Sequence, residues 1–112
     1  MKAARWGWVT WLRQTFAKPS PGVMADWIDE FLGDRPGKGW GWDSFECAAA
    51  STKDHEIREI LDEARRTGGL LQPWEYKDNE AACLALRHCA SQLRDLQARR
   101  DARQRGTGVV SE

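Results

Sequence analysis

At 112 residues the chain has the length of a single domain, enough to bury one core without staples. Its 17 basic residues balance 17 acidic ones, which removes the high net charge that usually accompanies disorder and counts against a dedicated nucleic-acid binder. Three cysteines are an odd number for a disulfide framework, and no apolar run approaches the ~20 residues of a membrane span.

Leu, Ile, Val and Phe together supply only 19 residues, whereas tryptophan supplies seven. A buried Trp removes 150–250 Å² from water on the usual scale, roughly 4–6 kcal/mol of gross burial. Most of the indoles are therefore expected in the core, and an exposed one is unexpected.

The amino terminus, Met1-Lys2-Ala3-Ala4-Arg5 before an apolar stretch, has a superficial likeness to a secretory leader. Arg13 interrupts that stretch and no small-residue cleavage site follows, so a cytoplasmic protein with reduced Cys47, Cys83 and Cys89 is expected. Trp8, Trp11, Leu12 and Phe16 share one face and predict a helix over 4–17, ended by Pro19 and Pro21. A second helix is predicted over 22–32. Met24, Trp27, Ile28, Phe31 and Leu32 form its apolar stripe, Asp26, Asp29 and Glu30 face away from it, and Gly33 is its stop.

Residues 33–42 read as a Gly-rich loop. Asp43 and Glu46 then form a capping-box-like start for a short helix to about Ala50. Ser51 or Thr52 begins a longer helix with Ile57, Ile60, Leu61 and Ala64 inward, closed by Arg65, Arg66 and Gly68-Gly69. Leu70 to Lys77, with Pro73, Trp74 and Tyr76, is an ordered connection. Asp78 or Asn79 caps a last helix over about 79–104 with the heptad-like seam Ala82, Leu86, Cys89, Leu93, Leu96. Arg100 and Arg103 occupy the next seam positions, so the helix should pack to about Leu96 and then project into water. With few Val and Ile outside the tail, a sheet is not expected. The fold predicted is an all-α bundle of four main helices and one short one with a Trp-rich core, a single domain over 1–105 followed by a disordered tail over 106–112.

Charge is segregated along the chain. Residues 1–20 carry four basic and no acidic side chains, 21–80 carry seven and fourteen, and 81–112 carry six and three. The pattern fits either complementarity within the fold or a charged partner.

Chemistry-bearing motifs are sparse. Gly33 to Gly37-Lys38 is one residue short of a phosphate-binding G-x-x-x-x-G-K-S/T loop, Gly39 stands at the hydroxyl position, and a helix precedes it instead of a strand. Cys83 lies about 140° around a helix from His88, so the two do not chelate, and it stands about 9 Å along the axis from Cys89, too far for a disulfide. His55, Glu59 and Asp62 do align, on a solvated face. No nucleophile, base and orienting group fall into pattern, so neither an enzyme nor a cofactor or metal site is expected.

Surface recognition remains. Trp40 and Trp42 stand two apart, and on extended backbone one enters the core while the other faces a partner; the alternative is that both seal the bundle end. Asp26, Asp29 and Glu30, continued by Asp34, could steer a basic partner surface. These six residues are the expected contacts of a small protein-binding module, of the inhibitor or immunity type, that occludes a partner's surface. The alternative is a nucleic-acid-binding accessory protein using Arg99, Arg100, Arg103 and Arg105 on the last helix. That helix could also pair two copies into a homodimer. No membrane partner is expected.

Overall fold

The structure is a computed structural model that describes residues 19–37 and 39–110, with side chains through residue 105. The predicted helix over 4–17 and the Lys38 of the Gly-rich loop lie outside the described residues.

Helix α1 (Pro21–Leu32) starts where the Ser20 hydroxyl accepts the Val23 N–H at 3.2 Å and Pro21 supplies a preset φ. It stops at Gly33, whose φ of 81° is the left-handed conformation open to glycine. The Asp34 N–H then turns back to the Asp29 carbonyl at 2.9 Å.

Helix α2 (Gly41–Ser51) begins two residues ahead of the predicted Asp43, and no side chain caps it. Close approach to α1 accounts for this start. A Cβ at Gly41 would lie 2.6 Å from the Trp27 carbonyl oxygen and 2.9 Å from Glu30 Cβ, so only glycine lets the first turn of α2 settle there. Asp43 falls instead within that first turn, where its charge suits the helix dipole.

Helix α3 (His55–Arg66) is capped by Asp54, whose carboxylate accepts the Ile57 N–H at 3.2 Å, so it starts later than the predicted Ser51 or Thr52, after a non-helical link at 52–54. A 3-10 turn, Pro73–Tyr76, follows, closed by the Gln72 N–H donating to the Glu75 carboxylate at 2.9 Å. Helix α4 (Glu80–Val110) starts at Asn79, whose side-chain oxygen accepts the Ala82 N–H at 3.1 Å. Its backbone stays helical to Val110, past the predicted end near 104 and into the stretch expected to be disordered. Extending an existing helix adds one hydrogen bond per residue without a new nucleus.

The described chain is all-α, with no strand among the described residues. Helix α4 runs antiparallel to both α1 and α3. On one side Asp34 meets Arg87, Asp29 meets Arg94, and the Gly22 N–H donates to Gln97. On the other, Gly69 abuts the Ala85 backbone and Asp54 meets Arg100. The seam read from sequence is buried: Ala82, Leu86, Cys89, Leu93 and Leu96 close on Met24, Ile28, Phe45, Ile57 and Leu61.

Among the described residues tryptophan contributes to one end of this core and not to its centre. Of the four described indoles, Trp27 and Trp42 pack against the core, while Trp40 is 67% and Trp74 74% exposed. The centre is aliphatic. Aromatic packing is gathered at one end of the bundle, where the Trp42 ring lies 4.6 Å from Phe31, 5.5 Å from Tyr76 and 5.7 Å from Phe45.

Candidate functional site

The end of the bundle that holds the aromatic cluster is built from the close of α1, the start of α2 and the connection between α3 and α4. Tyr76 ties that connection down. Its hydroxyl donates to the Gly69 carbonyl at 2.8 Å and accepts the Leu71 N–H at 2.8 Å, and burial pushes its pKa up. Trp42 Nε1 is the one buried side-chain polar atom without a hydrogen-bond partner among the described residues.

Trp40 and Trp74 are each two residues before a member of this cluster, Trp42 and Tyr76, so both exposed indoles decorate the same end. Trp40 borders a shallow depression lined by Trp27, Glu30, Gly41 and Ser44. The sequence reading that one of Trp40 and Trp42 points in and the other out describes the result, but through another geometry. The backbone here enters a helix, where residues two apart lie roughly 200° around the axis. Trp42 therefore belongs to the packing that holds this end together, and Trp40 is the ring it displays.

The acidic face of α1 is placed differently from the expectation of a free negative surface. Asp26 lies 2.7 Å from Arg35 and 3.0 Å from Arg94, Asp29 is paired to Arg94, and Asp34 takes two bonds from Arg87 at 2.7 and 3.1 Å. Glu30 makes no ion pair among the described residues. Arg87 and Arg94 are one heptad apart on α4, hence on one face, and that face lies along α1. For Asp26, partial burial works to raise the pKa, but hydrogen bonds and charge from Arg35 and Arg94 outweigh it and the net shift is downward. For Asp34 the hydrogen bond from Arg87 is the main cause of a lowered pKa. The arginines are raised in turn, Arg87 chiefly by Asp34 and Arg94 chiefly by Asp29. Of the two readings of charge segregation, complementarity within the fold is what these carboxylates display.

The arginine cluster is likewise divided. Arg100 lies 2.8 Å from Asp54 and 3.1 Å from Glu56, and Arg103 lies 3.8 Å from Glu56. The α4 packing thus continues one turn beyond Leu96, because Arg100 reaches the N-terminus of α3 instead of water. Arg99 and Arg105 are exposed and make no ion pair among the described residues.

Cys47 is exposed, Cys83 half-buried and Cys89 buried, with burial pushing the Cys89 thiol up to about 12, a poor nucleophile. His55 Nε2 lies 3.3 Å from Glu59 on an open face. Among the described residues no three His, Cys, Asp or Glu side chains converge as metal ligands, and no helix is long and apolar enough to cross a membrane. Comparison of the chain with protein-family models, curated proteins and solved structures finds no match.

Sequence reasoning missed the pairing of α1 with the α4 arginines and the exposure of Trp74. The first carried a signal: acidic residues concentrated in one segment, arginines seven apart in another. The second carried none, since an isolated Trp beside a proline does not reveal which way its ring turns.

Proposed function

We propose that this chain is a protein-binding module that engages its partner through the bundle end displaying Trp40 and Trp74. The observation that carries the reading is the exposure of two large indoles, 67% and 74%, on one end of a body whose other large side chains are mostly packed away. Trp supplies wide contact area at low entropic cost and is enriched among interface hot spots. The tight cluster beneath, with Tyr76 anchored at both lone pair and proton, gives those rings a rigid base. Occlusion of a partner's surface, as an inhibitor or immunity-type protein does, is the action such a rigid display suits. Steering by Asp26, Asp29 and Asp34 drops out of the reading, because their charge is matched by Arg87 and Arg94.

Affinity capture from the native host with wild type, Trp40→Ala, Trp74→Ala and Trp42→Ala tests it. The first two should change stability by less than about 0.5 kcal/mol, as surface substitutions do, yet weaken partner capture by roughly 30-fold, the scale of a hot spot. Trp42→Ala should instead destabilise by about 3–5 kcal/mol. Undiminished capture by the Trp40/Trp74 double variant would rule the site out.

A further inference from the structure

The depression beside Trp40 carries one sign of charge. It holds about 390 Å³, and among the described residues that line it Glu30 is the single charged group. Two glycines position its carboxylate. A Cβ at Gly41 would sit 2.9 Å from Glu30 Cβ, and one at Gly37 would collide with Glu30 Oε1, so the side chain passes from one glycine to the other. Glu30 is half-buried, yet it makes no ion pair and no hydrogen bond among the described residues. A partly desolvated carboxylate ordinarily finds a donor. The adjoining start of α2 offers it only the partial positive charge of the helix dipole. Arg35, the one described cation of the connection between α1 and α2, is held by Asp26 at 2.7 Å. Over residues 27–46, which build this end of the bundle, five acidic side chains (Asp29, Glu30, Asp34, Asp43 and Glu46) stand against Arg35 and Lys38.

We propose that this depression receives an arginine side chain of the partner protein, its guanidinium lying on the Trp40 indole and donating to the Glu30 carboxylate. The assignment rests on the protein-binding reading and names the chemistry that Trp40 meets. An indole face attracts a cation through its quadrupole, and a guanidinium stacks on it more readily than a strongly hydrated ammonium does. Trp40 is exposed to supply that face. The Ser44 hydroxyl in the lining adds an acceptor, and the planar fork of guanidinium N–H groups can serve carboxylate and hydroxyl together. An acidic group would be repelled by Glu30, and an apolar one would desolvate it without giving it a donor. Charge and aromatic surface thus select the same occupant.

The test titrates the full, isotope-labelled chain by NMR with the peptide acetyl-Gly-Arg-Gly-amide and with its citrulline counterpart, which keeps the shape and removes the charge. The Trp40 indole N–H, assigned from its loss in Trp40→Phe, and the Ser44 backbone amide report binding. The arginine peptide should bind roughly fivefold more tightly or better. Glu30→Gln should erase that preference with an unchanged thermal midpoint. Trp40→Leu, a change at an exposed position, should erase most of it as well, read at Ser44. Equal binding of the two peptides, binding of neither, or a preference that survives in Glu30→Gln overturns the assignment. Two further results would overturn it by giving Glu30 to the chain itself: arginine binding that appears only in Lys38→Gln, and a dimer in sedimentation that Glu30→Gln dissolves. The capture experiment stands apart from all of these, because it reads the loss of the Trp40 and Trp74 rings whatever charge the partner brings.

Discussion

Gly41 shows how one missing side chain fixes a helix pair. Alanine is about 1 kcal/mol better than glycine within a helix, so propensity alone favours Gly41→Ala. Packing reverses the sign. The new methyl would sit 2.6 Å from the Trp27 carbonyl, which belongs to the α1 backbone and cannot rotate aside. We expect Gly41→Ala to lower stability by about 1–3 kcal/mol in urea unfolding, whereas an unchanged or raised midpoint would mean that α1 and α2 shift apart freely. Nothing in the sequence identifies this contact. Five glycines fall between residues 22 and 41, and only the approach of a second helix tells which of them is required.

At the scale of elements, the interior faces were legible and the partnerships were not. Ile57, Leu61 and Ala64 on α3, and Leu86, Leu93 and Leu96 on α4, are spaced at helical intervals and are buried as that spacing requires. Periodicity says which face turns inward but not which helix meets it, so the segregated charge leaves open whether the flanks of α1 and α4 meet each other or a partner, and in the fold they meet each other. The candidate site was half legible for the same reason. Trp40 and Trp42 stood out by composition, while the exposure of Trp74 depends on how the connection after α3 turns beside Pro73. Asp54 is the element-level device that joins local and tertiary effects, capping α3 and holding Arg100 of α4 at 2.8 Å. Asn caps as well as Asp but carries no charge. Asp54→Asn should therefore cost less than about 1 kcal/mol, the value of a partly exposed ion pair, and Asp54→Ala about 1–2 kcal/mol because the cap goes too. Equal losses in the two variants, read from urea midpoints, would show that the capping bond contributes nothing.

The whole molecule is held around α4, which is clamped by ion pairs to α1 through Arg87 and Arg94 and to α3 through Arg100. Each pair is partly exposed and individually weak, but all share one consequence for acid stability. Asp26, Asp34 and Asp54 have folded pKa values below the ordinary 3.8, so the unfolded chain binds protons first as pH falls. Their contribution is complete above the unfolded pKa, flat through neutrality, and is lost as pH drops below about 4 through the depressed folded values. Removing the partner arginines makes the sign testable. In Arg87→Met/Arg94→Met, Asp34 loses the hydrogen bonds and charge that lower it and Asp26 loses the share from Arg94 while keeping that from Arg35, so the variant should be less stable than wild type at pH 7. Below the folded pKa values both proteins carry neutral carboxyls and that difference has no source. Chemical denaturation across pH 2–7 should therefore give two stability curves that converge on the acid side. A constant offset over the whole range would instead mean that the arginine stems stabilise α4 by packing, with the ion pairs contributing nothing.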